Sequence, residues 1–438
     1  MNIIIHRGSH EIGGSCVEIK SGDTRIIIDI GKPLVDNNGD NFEFSDYKNL
    51  TGPELVKKEI IPDVDGLYYW DNSNNKIDGL LISHSHQDHY GFINFIDDRI
   101  PVFLGKPTKD IIDLTVQFTP VEVEIKNPQF IKSGEKFKIK DFKITPYLMD
   151  HSAFDAYAYL IQVGNKTLLY SGDFREHGRK SKAFYWFLNN VPKNIDVLLL
   201  EGTSFGRDNK EFLNENEIEN EMVKISKETK GLLLFQQSSQ NIDRIVSFYR
   251  ASLKSNRLFA VDIYTAHLLA VINEYNDNIP YPSKSFSNIK VFYPFWLSQR
   301  IVNDKNKDLL YIFAKYKITK EEIAKNPSEI MMLVRASMLS DLKIIDSFKE
   351  ASYVYSLWKG YLKEERMKKM LKFIKNNNIK KYHLHTSGHA SKNTLKKLVN
   401  RIQPNKVVPI HTFHPEKYKE LFDSKIVETF SDGELIEV

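Results

Sequence analysis

The hexapeptide His84-Ser85-His86-Gln87-Asp88-His89 constrains this chain more than any other stretch. It follows directly on the apolar run Gly79-Leu80-Leu81-Ile82-Ser83. An apolar run that stops at a dense cluster of ligands reads as a buried strand carrying a metal site at its C-terminal end. Three imidazoles and one carboxylate in six residues suit two borderline divalent ions, zinc first. His84 and His86 project from the same side of an extended segment. Asp88 and His89 follow where the chain turns and can serve a neighbouring ion. A solvated His-rich tract would lie among polar, unpatterned residues, and this one does not.

With 438 residues the chain has room for two or three domains and a substantial core. Its 61 basic and 57 acidic residues nearly balance, so net charge selects no partner, though a local basic groove for a polyanion stays open. Cys16 is the single cysteine, which excludes an intrachain disulfide and a thiolate-based zinc site. No stretch approaches the roughly 18 apolar residues that span a bilayer, and no leader pattern opens the sequence. The expectation is a cytoplasmic protein with no membrane partner.

The first half is rich in strand patterns. Arg25-Ile26-Ile27-Ile28-Asp29-Ile30-Gly31 is a β-branched run closing on a carboxylate. Asp29 by itself reads as a loop carboxylate capping a helix, and gains interest only beside other acids and histidines. Residues 34–76 are polar and read as a decorated loop region near the mouth of the site. Phe142 to Tyr147 runs extended into Asp150-His151-Ser152. Tyr157–Val163 and Thr167–Tyr170 flank Gly164-Asn165, a short-loop hairpin signal, and the second strand continues into Ser171-Gly172-Asp173. Asp196-Val197-Leu198-Leu199-Leu200-Glu201 repeats the pattern of an apolar strand ending in an acid. Four strands therefore finish in a candidate ligand or its orienter, at Asp29, His84, Asp173 and Glu201, as a sheet edge building one site would produce.

The order Asp29, then His84 to His89, then His151, then Asp173 resembles the motif series of the metallo-β-lactamase fold. The resemblance implies an α/β architecture: an αββα sandwich of two mixed sheets with a dinuclear metal site at one edge. It further implies that His84, His86 and His151 hold one ion. Asp88, His89 and a last histidine would hold the other, with Asp173 bridging and Asp29 orienting the His cluster from behind.

After Phe205 the texture changes to short strands alternating with amphipathic helices, which argues for an open, mostly parallel α/β domain. Glu364 to Lys381 is lysine-rich, either a solvated helix face or a phosphate-contacting surface. The first domain's pattern then resumes in His383-Leu384-His385-Thr386-Ser387-Gly388-His389-Ala390-Ser391 and in Val407-Val408-Pro409-Ile410-His411. A large α/β block inserted between Glu201 and His385 resembles the β-CASP branch of nucleases, most closely the RNase J enzymes. The implied domains are 1–204 and 382–438 for the metallo-β-lactamase part and 205–381 for the β-CASP insert. In that branch an acid (here Glu201), a loop histidine (His389) and a terminal-strand histidine (His411) complete the site. Members acting on RNA usually carry a histidine where His411 stands, which favours RNA over DNA.

The resemblance implies hydrolysis of RNA phosphodiesters, single-stranded RNA being the expected substrate, with two Zn2+ ions that Mn2+ or Mg2+ could replace. Such ions supply a nucleophilic water near pH 7 and bracket the phosphate when roughly 3.5–4 Å apart. His389 is the expected proton donor to the leaving oxygen, kept protonated by donating a hydrogen bond to Glu201; Asp88 and Asp173 complete the catalytic set. His385, Ser387, Gly388 and His389 form a Gly-containing loop ahead of a helix, a ready cradle for a phosphate. Exonuclease and endonuclease action both stay open, as does a homo-oligomer. The rivals are a DNA nuclease of the same branch, a small-molecule hydrolase of the same fold, and a catalytically dead nucleic-acid-binding relative.

Overall fold

A computed structural model describes residues 1–36, 39–206 and 212–438. It contains two compact units. The first comprises Met1–Asp113, Val121–Glu211 and Gly388–Val438; the second comprises Leu114–Pro120 and Phe212–Ser387. Among the described residues, no helix is long and apolar enough to cross a membrane.

The first unit is built on two mixed sheets. In one, strands Asn2–Arg7, Cys16–Ser21 and Thr24–Ile28 form an antiparallel meander. Strand Gly79–Leu81 then joins Thr24–Ile28 in parallel, so Asp29 and His84 leave the same edge. In the other, Phe142–Met149, Ala156–Val163 and Lys166–Tyr170 pair antiparallel in turn. Val197–Glu201 and Lys406–Ile410 extend that sheet in parallel. Four of its strands therefore run the same way and release His151, Asp173, Glu201 and His411 at one edge, where open α/β sheets gather function.

The pleat explains why these strands are apolar throughout. Ile161, Leu168, Tyr170, Val197, Leu199, Val408 and Ile410 point into the core shared with Ile3, Val17 and Ile26 of the first sheet. The alternate residues Leu160, Leu169, Leu198, Leu200 and Val407 pack outward under helices Ser181–Asn190 and Lys392–Ile402, against Phe184, Phe187, Leu395 and Leu398. Strands covered on both faces read as continuous hydrophobic runs.

The second unit is an open sheet of six strands, all parallel where they pair. Its strands Leu233–Gln236, Leu258–Asp262, Ile289–Phe292 and Ile330–Leu333 follow apolar runs legible in the sequence, Leu232–Phe235, Leu258–Val261, Val291–Tyr293 and Ile330–Val334. Ser352–Tyr355, which carries no clear sequence signal, is a further strand with all four residues buried. Arg207 to Lys230 reads in the sequence as a charged, helix-forming segment; it is helical over Glu215–Glu228, and residues 207–211 lie outside the described residues. The polar region 34–76 also holds a short helix, Gly52–Lys57, after Thr51.

Candidate metal centre

Seven donor groups meet at the sheet edges of the first unit, and their backbones are fixed before any side chain is considered. Gly31 packs so closely on the hexapeptide that a Cβ there would lie 1.6 Å from the Asp88 carbonyl oxygen. Gly172, one residue before Asp173, has φ +54°, and a Cβ would stand 2.5 Å from the Tyr157 carbonyl. Asp29 and His411 adopt left-handed φ values of 61° and 55°, a costly conformation for residues with side chains.

The tautomers of four imidazoles follow from their partners. Gly388 O, which can only accept, lies 2.7 Å from His151 Nδ1. An Asp29 carboxylate oxygen lies 2.8 Å from His89 Nδ1. The Ser83 hydroxyl donates to Asp29 and therefore accepts from His84 Nδ1 at 3.0 Å. The Thr203 hydroxyl donates to the His411 carbonyl and accepts from His411 Nδ1 at 2.8 Å. Each Nδ1 thus carries a proton, so in the neutral ring each Nε2 presents the lone pair. Asp29 anchors this arrangement, accepting also from Ser83 N and Tyr170 OH.

The lone pairs converge in two groups. His84 Nε2 lies 3.1 Å and His151 Nε2 3.3 Å from His86 Nδ1. The edge of a tetrahedron with Zn–N bonds of about 2.0–2.1 Å is about 3.3–3.4 Å, so these spacings suit three ligands of one cation. In the second group Asp88 Oδ2 is 3.8 Å from His89 Nε2 and 3.5 Å from His411 Nε2. Asp173 Oδ2 stands between the groups, 3.8 Å from His84 Nε2 and 3.3 Å from His89 Nε2. His89 Nε2, His411 Nε2 and Asp173 Oδ2 are buried without a hydrogen-bond partner, which native interiors rarely tolerate. A divalent cation fits this donor set, and both groups are geometrically able to hold one.

The electrostatics differ between the groups. Burial, reinforced by the surrounding imidazoles, holds His84 and His151 well below the ordinary 6.5. Burial also lowers His86. Burial alone would raise Asp88 and Asp173, but the facing His89 and His411 prevail; Asp88 falls to about 2 and Asp173 well below 3.8. His89 and His411 go the other way. Burial opposes their charge, yet Asp173, Asp29 and Asp88 lift His89 well above 6.5, and Asp173 and Asp88 lift His411.

One anticipated contact is absent. Glu201 does not hydrogen-bond His389; its Oε2 is 3.8 Å from His389 Nδ1. Its two oxygens instead accept the N–H groups of Ala390 and Thr203, each at 2.9 Å. The strand-end carboxylate is too short to span the gap once its oxygens are turned to those backbone donors. Burial, aided by Asp173, raises Glu201 to about 7 against the pull of the two N–H groups. Glu201 therefore grips the loop next to His389 rather than the imidazole itself. His389 Nδ1 is 3.6 Å from Asp173 Oδ2. Gly388, anticipated as part of a phosphate cradle, spends its carbonyl on His151. His385 and Ser387 belong to the second unit, with His385 Nδ1 3.3 Å from the Ser356 carbonyl; the seven-donor cluster is complete without them.

Sequence reasoning missed Ser83, Thr203 and Tyr170, which set the imidazoles and Asp29. It also missed a buried ion pair between Asp150 and Arg175. Each of the last two residues lies within two positions of a candidate ligand, and that adjacency was the available signal.

Residues 70–231 match the beta-lactamase superfamily domain, and residues 378–424 match the Zn-dependent metallo-hydrolase RNA specificity domain. The chain is 23% identical to Ribonuclease J of Mycoplasma genitalium over 412 residues, covering 92% of this chain and 66% of that protein. It is 23% identical to Ribonuclease J of Helicobacter pylori over 98% of this chain and 60% of that protein. It is 24% identical to a probable RNase of Methanocaldococcus jannaschii over 64% of this chain and 58% of that protein. The chain thus spans under two thirds of the length of these relatives. A crystal structure of an Enterococcus faecalis protein of unknown function shares the fold, with TM-score 0.77, 20% identity and 99% coverage of both chains.

Proposed function

We propose that this chain, which belongs to the RNase J-like, β-CASP branch of the metallo-β-lactamase fold, hydrolyses RNA phosphodiester bonds with divalent metal ions, zinc first. The observation that carries this reading is the convergence of lone pairs from four imidazoles whose outer nitrogens are all tied down. We assign His84, His86 and His151 to one ion, Asp88, His89 and His411 to a second, and Asp173 to both. Divalent ions held there would supply Lewis acidity, for activation of water at neutral pH and for charge neutralisation on phosphoryl oxygens.

The chain's own groups do the rest. Asp29 holds His89 in the tautomer that faces the centre, as outer carboxylates do for metal-bound imidazoles. His389 is the most open imidazole that closes on Asp173, with 19% of its side chain exposed. We assign it the proton that the departing oxygen takes up. Glu201 acts through the backbone, fixing the His389 loop by accepting from Ala390 N–H.

The test is incubation of the purified protein with 5′-phosphorylated and 5′-hydroxyl RNA labelled at either end, beside matched DNA, with metal analysis of the same sample. RNA cleavage that tracks zinc content is expected. Cleavage of DNA alone, or protein that takes up no transition metal, overturns the assignment; preference for the 5′-phosphate and the product lengths separate exonuclease from endonuclease.

A further inference from the structure

His151 is the one donor of its group that lies outside the hexapeptide, on the turn after Met149. The turn links strands Phe142–Met149 and Ala156–Val163 and lies beyond their last pair, Met149 with Ala156. Ladder hydrogen bonds therefore cannot set where the His151 backbone sits. The tie between its Nδ1 and Gly388 fixes the ring only if that backbone is already in place.

The loop after Asp173 supplies the missing restraint. Arg175 N–H donates to the Asp150 carbonyl at 2.6 Å, and Gly178 N–H donates to the Asp150 carboxylate at 2.9 Å. Arg175 and Asp150 form an ion pair with both side chains fully buried. At the end of the loop, the Lys180 ammonium donates to the carbonyls of His151, at 2.9 Å, and Ala153, at 2.8 Å. Its charge also lies 5.8 Å from the centre of the Phe154 ring on the same turn. One cation thus gathers both ends of the three-residue stretch that begins at the candidate ligand.

We propose that Lys180 is a positioning residue for the ion assigned to His84, His86 and His151, holding the His151 turn to the loop that bears Asp173. The proposal rests on reading the site as a metal centre. In this role Lys180 acts through the His151 backbone. An ammonium suits this task because it is a compact charge with three rotatable donors, able to serve two carbonyls that diverge. The same loop grips the helix behind His389, since Glu176 accepts from Thr394 Oγ1 and Lys397 Nζ. That second grip lies on the exposed side and offers an internal control.

The test is release of zinc from the full chain into excess chelator, for wild type, Lys180→Met, Lys180→Arg, Lys180→Gln and Lys397→Met. Wild type should release two ions. Lys180→Met should release one of them about 10–100-fold faster, the range for losing an outer support of a metal ligand, and keep the other at the wild-type rate. Lys180→Arg should restore retention, Lys180→Gln should fall between and grades the effect if Lys180→Met does not fold, and Lys397→Met should match wild type. The metal-free forms of Lys180→Met and wild type should melt together. Wild-type release rates in Lys180→Met, or equal loss of stability in its metal-free form, overturn the positioning role alone. A wild-type protein that takes up no zinc removes the metal-centre reading, and this proposal with it.

Discussion

The two donor groups sit side by side and share Asp173, yet they are held by opposite means. His84, His86 and His151 form an uncharged set. Their partners are a hydroxyl, a backbone carbonyl and one another, and burial keeps them neutral. Asp88, His89 and His411 form a charged set. Asp29 holds His89, and both Asp29 and His411 sit in strained left-handed backbone. The difference teaches that, on the proposed assignment, the first group would depend on geometry for its affinity, whereas the second would draw a cation through its carboxylates and have to displace protons from its imidazoles.

The sharpest way to break the comparison is to remove what the groups share. Asp173→Asn should empty both and reduce hydrolysis to background, whereas His86→Ala should empty only the uncharged group; metal stoichiometry of the two variants checks this. Retention of both ions in Asp173→Asn would sever the link between them. Next in size is His389→Ala, expected to slow RNA hydrolysis by about 10²–10⁴-fold, the usual worth of a general acid, with both ions retained. Loss of metal in that variant would turn His389 from proton donor into ligand.

Asp29→Asn should act on one group only. It leaves a side chain of the same shape but a weaker acceptor for His89 Nδ1, and the charged group should bind zinc about 10–100-fold more weakly. Equal weakening of both groups, measured by chelator competition, would show that Asp29 supports the whole edge. The smallest effect is in pH. His89 and His411 are raised above 6.5, so a cation must displace protons there, and affinity at the charged group falls as pH drops through those values. His84, His86 and His151 are lowered and already neutral in the same window. Zinc titrations from about pH 8 down to about pH 6 should release protons with one ion and not with the other. Identical pH slopes would erase the distinction.

The legibility of the site divides along physical lines. The clustering of donor groups in the hexapeptide was readable because they are local: backbone geometry alone puts His84 beside His86. Asp173, Glu201 and His411 were readable because each ends a strand apolar on both faces, and such strands run to one sheet edge. Ser352–Tyr355 escaped because four residues with no alternation and no bounding turn carry too little pattern, although all four are buried. Glu201 was expected to partner His389, and its oxygens instead meet the N–H groups of Ala390 and Thr203. Its position at a strand end is a property of the sequence, but which donor its oxygens meet depends on how the Gly388–Ser391 loop returns after a long excursion in sequence. Asp150, Arg175 and Lys180 give no periodic signal at all, since a buried pair across two loops exists only when both loops are folded.

The sequence by itself determined which atoms could bind a cation and at which strand ends they would emerge, because ligand chemistry and pleat periodicity are local properties. Only the tertiary structure decided which nitrogen of each imidazole faces inward, how Asp173 stands between two unlike groups, and what holds the His151 turn. Those outcomes hang on hydrogen bonds between residues far apart in the chain. No local rule fixes such a bond until the sheets have packed.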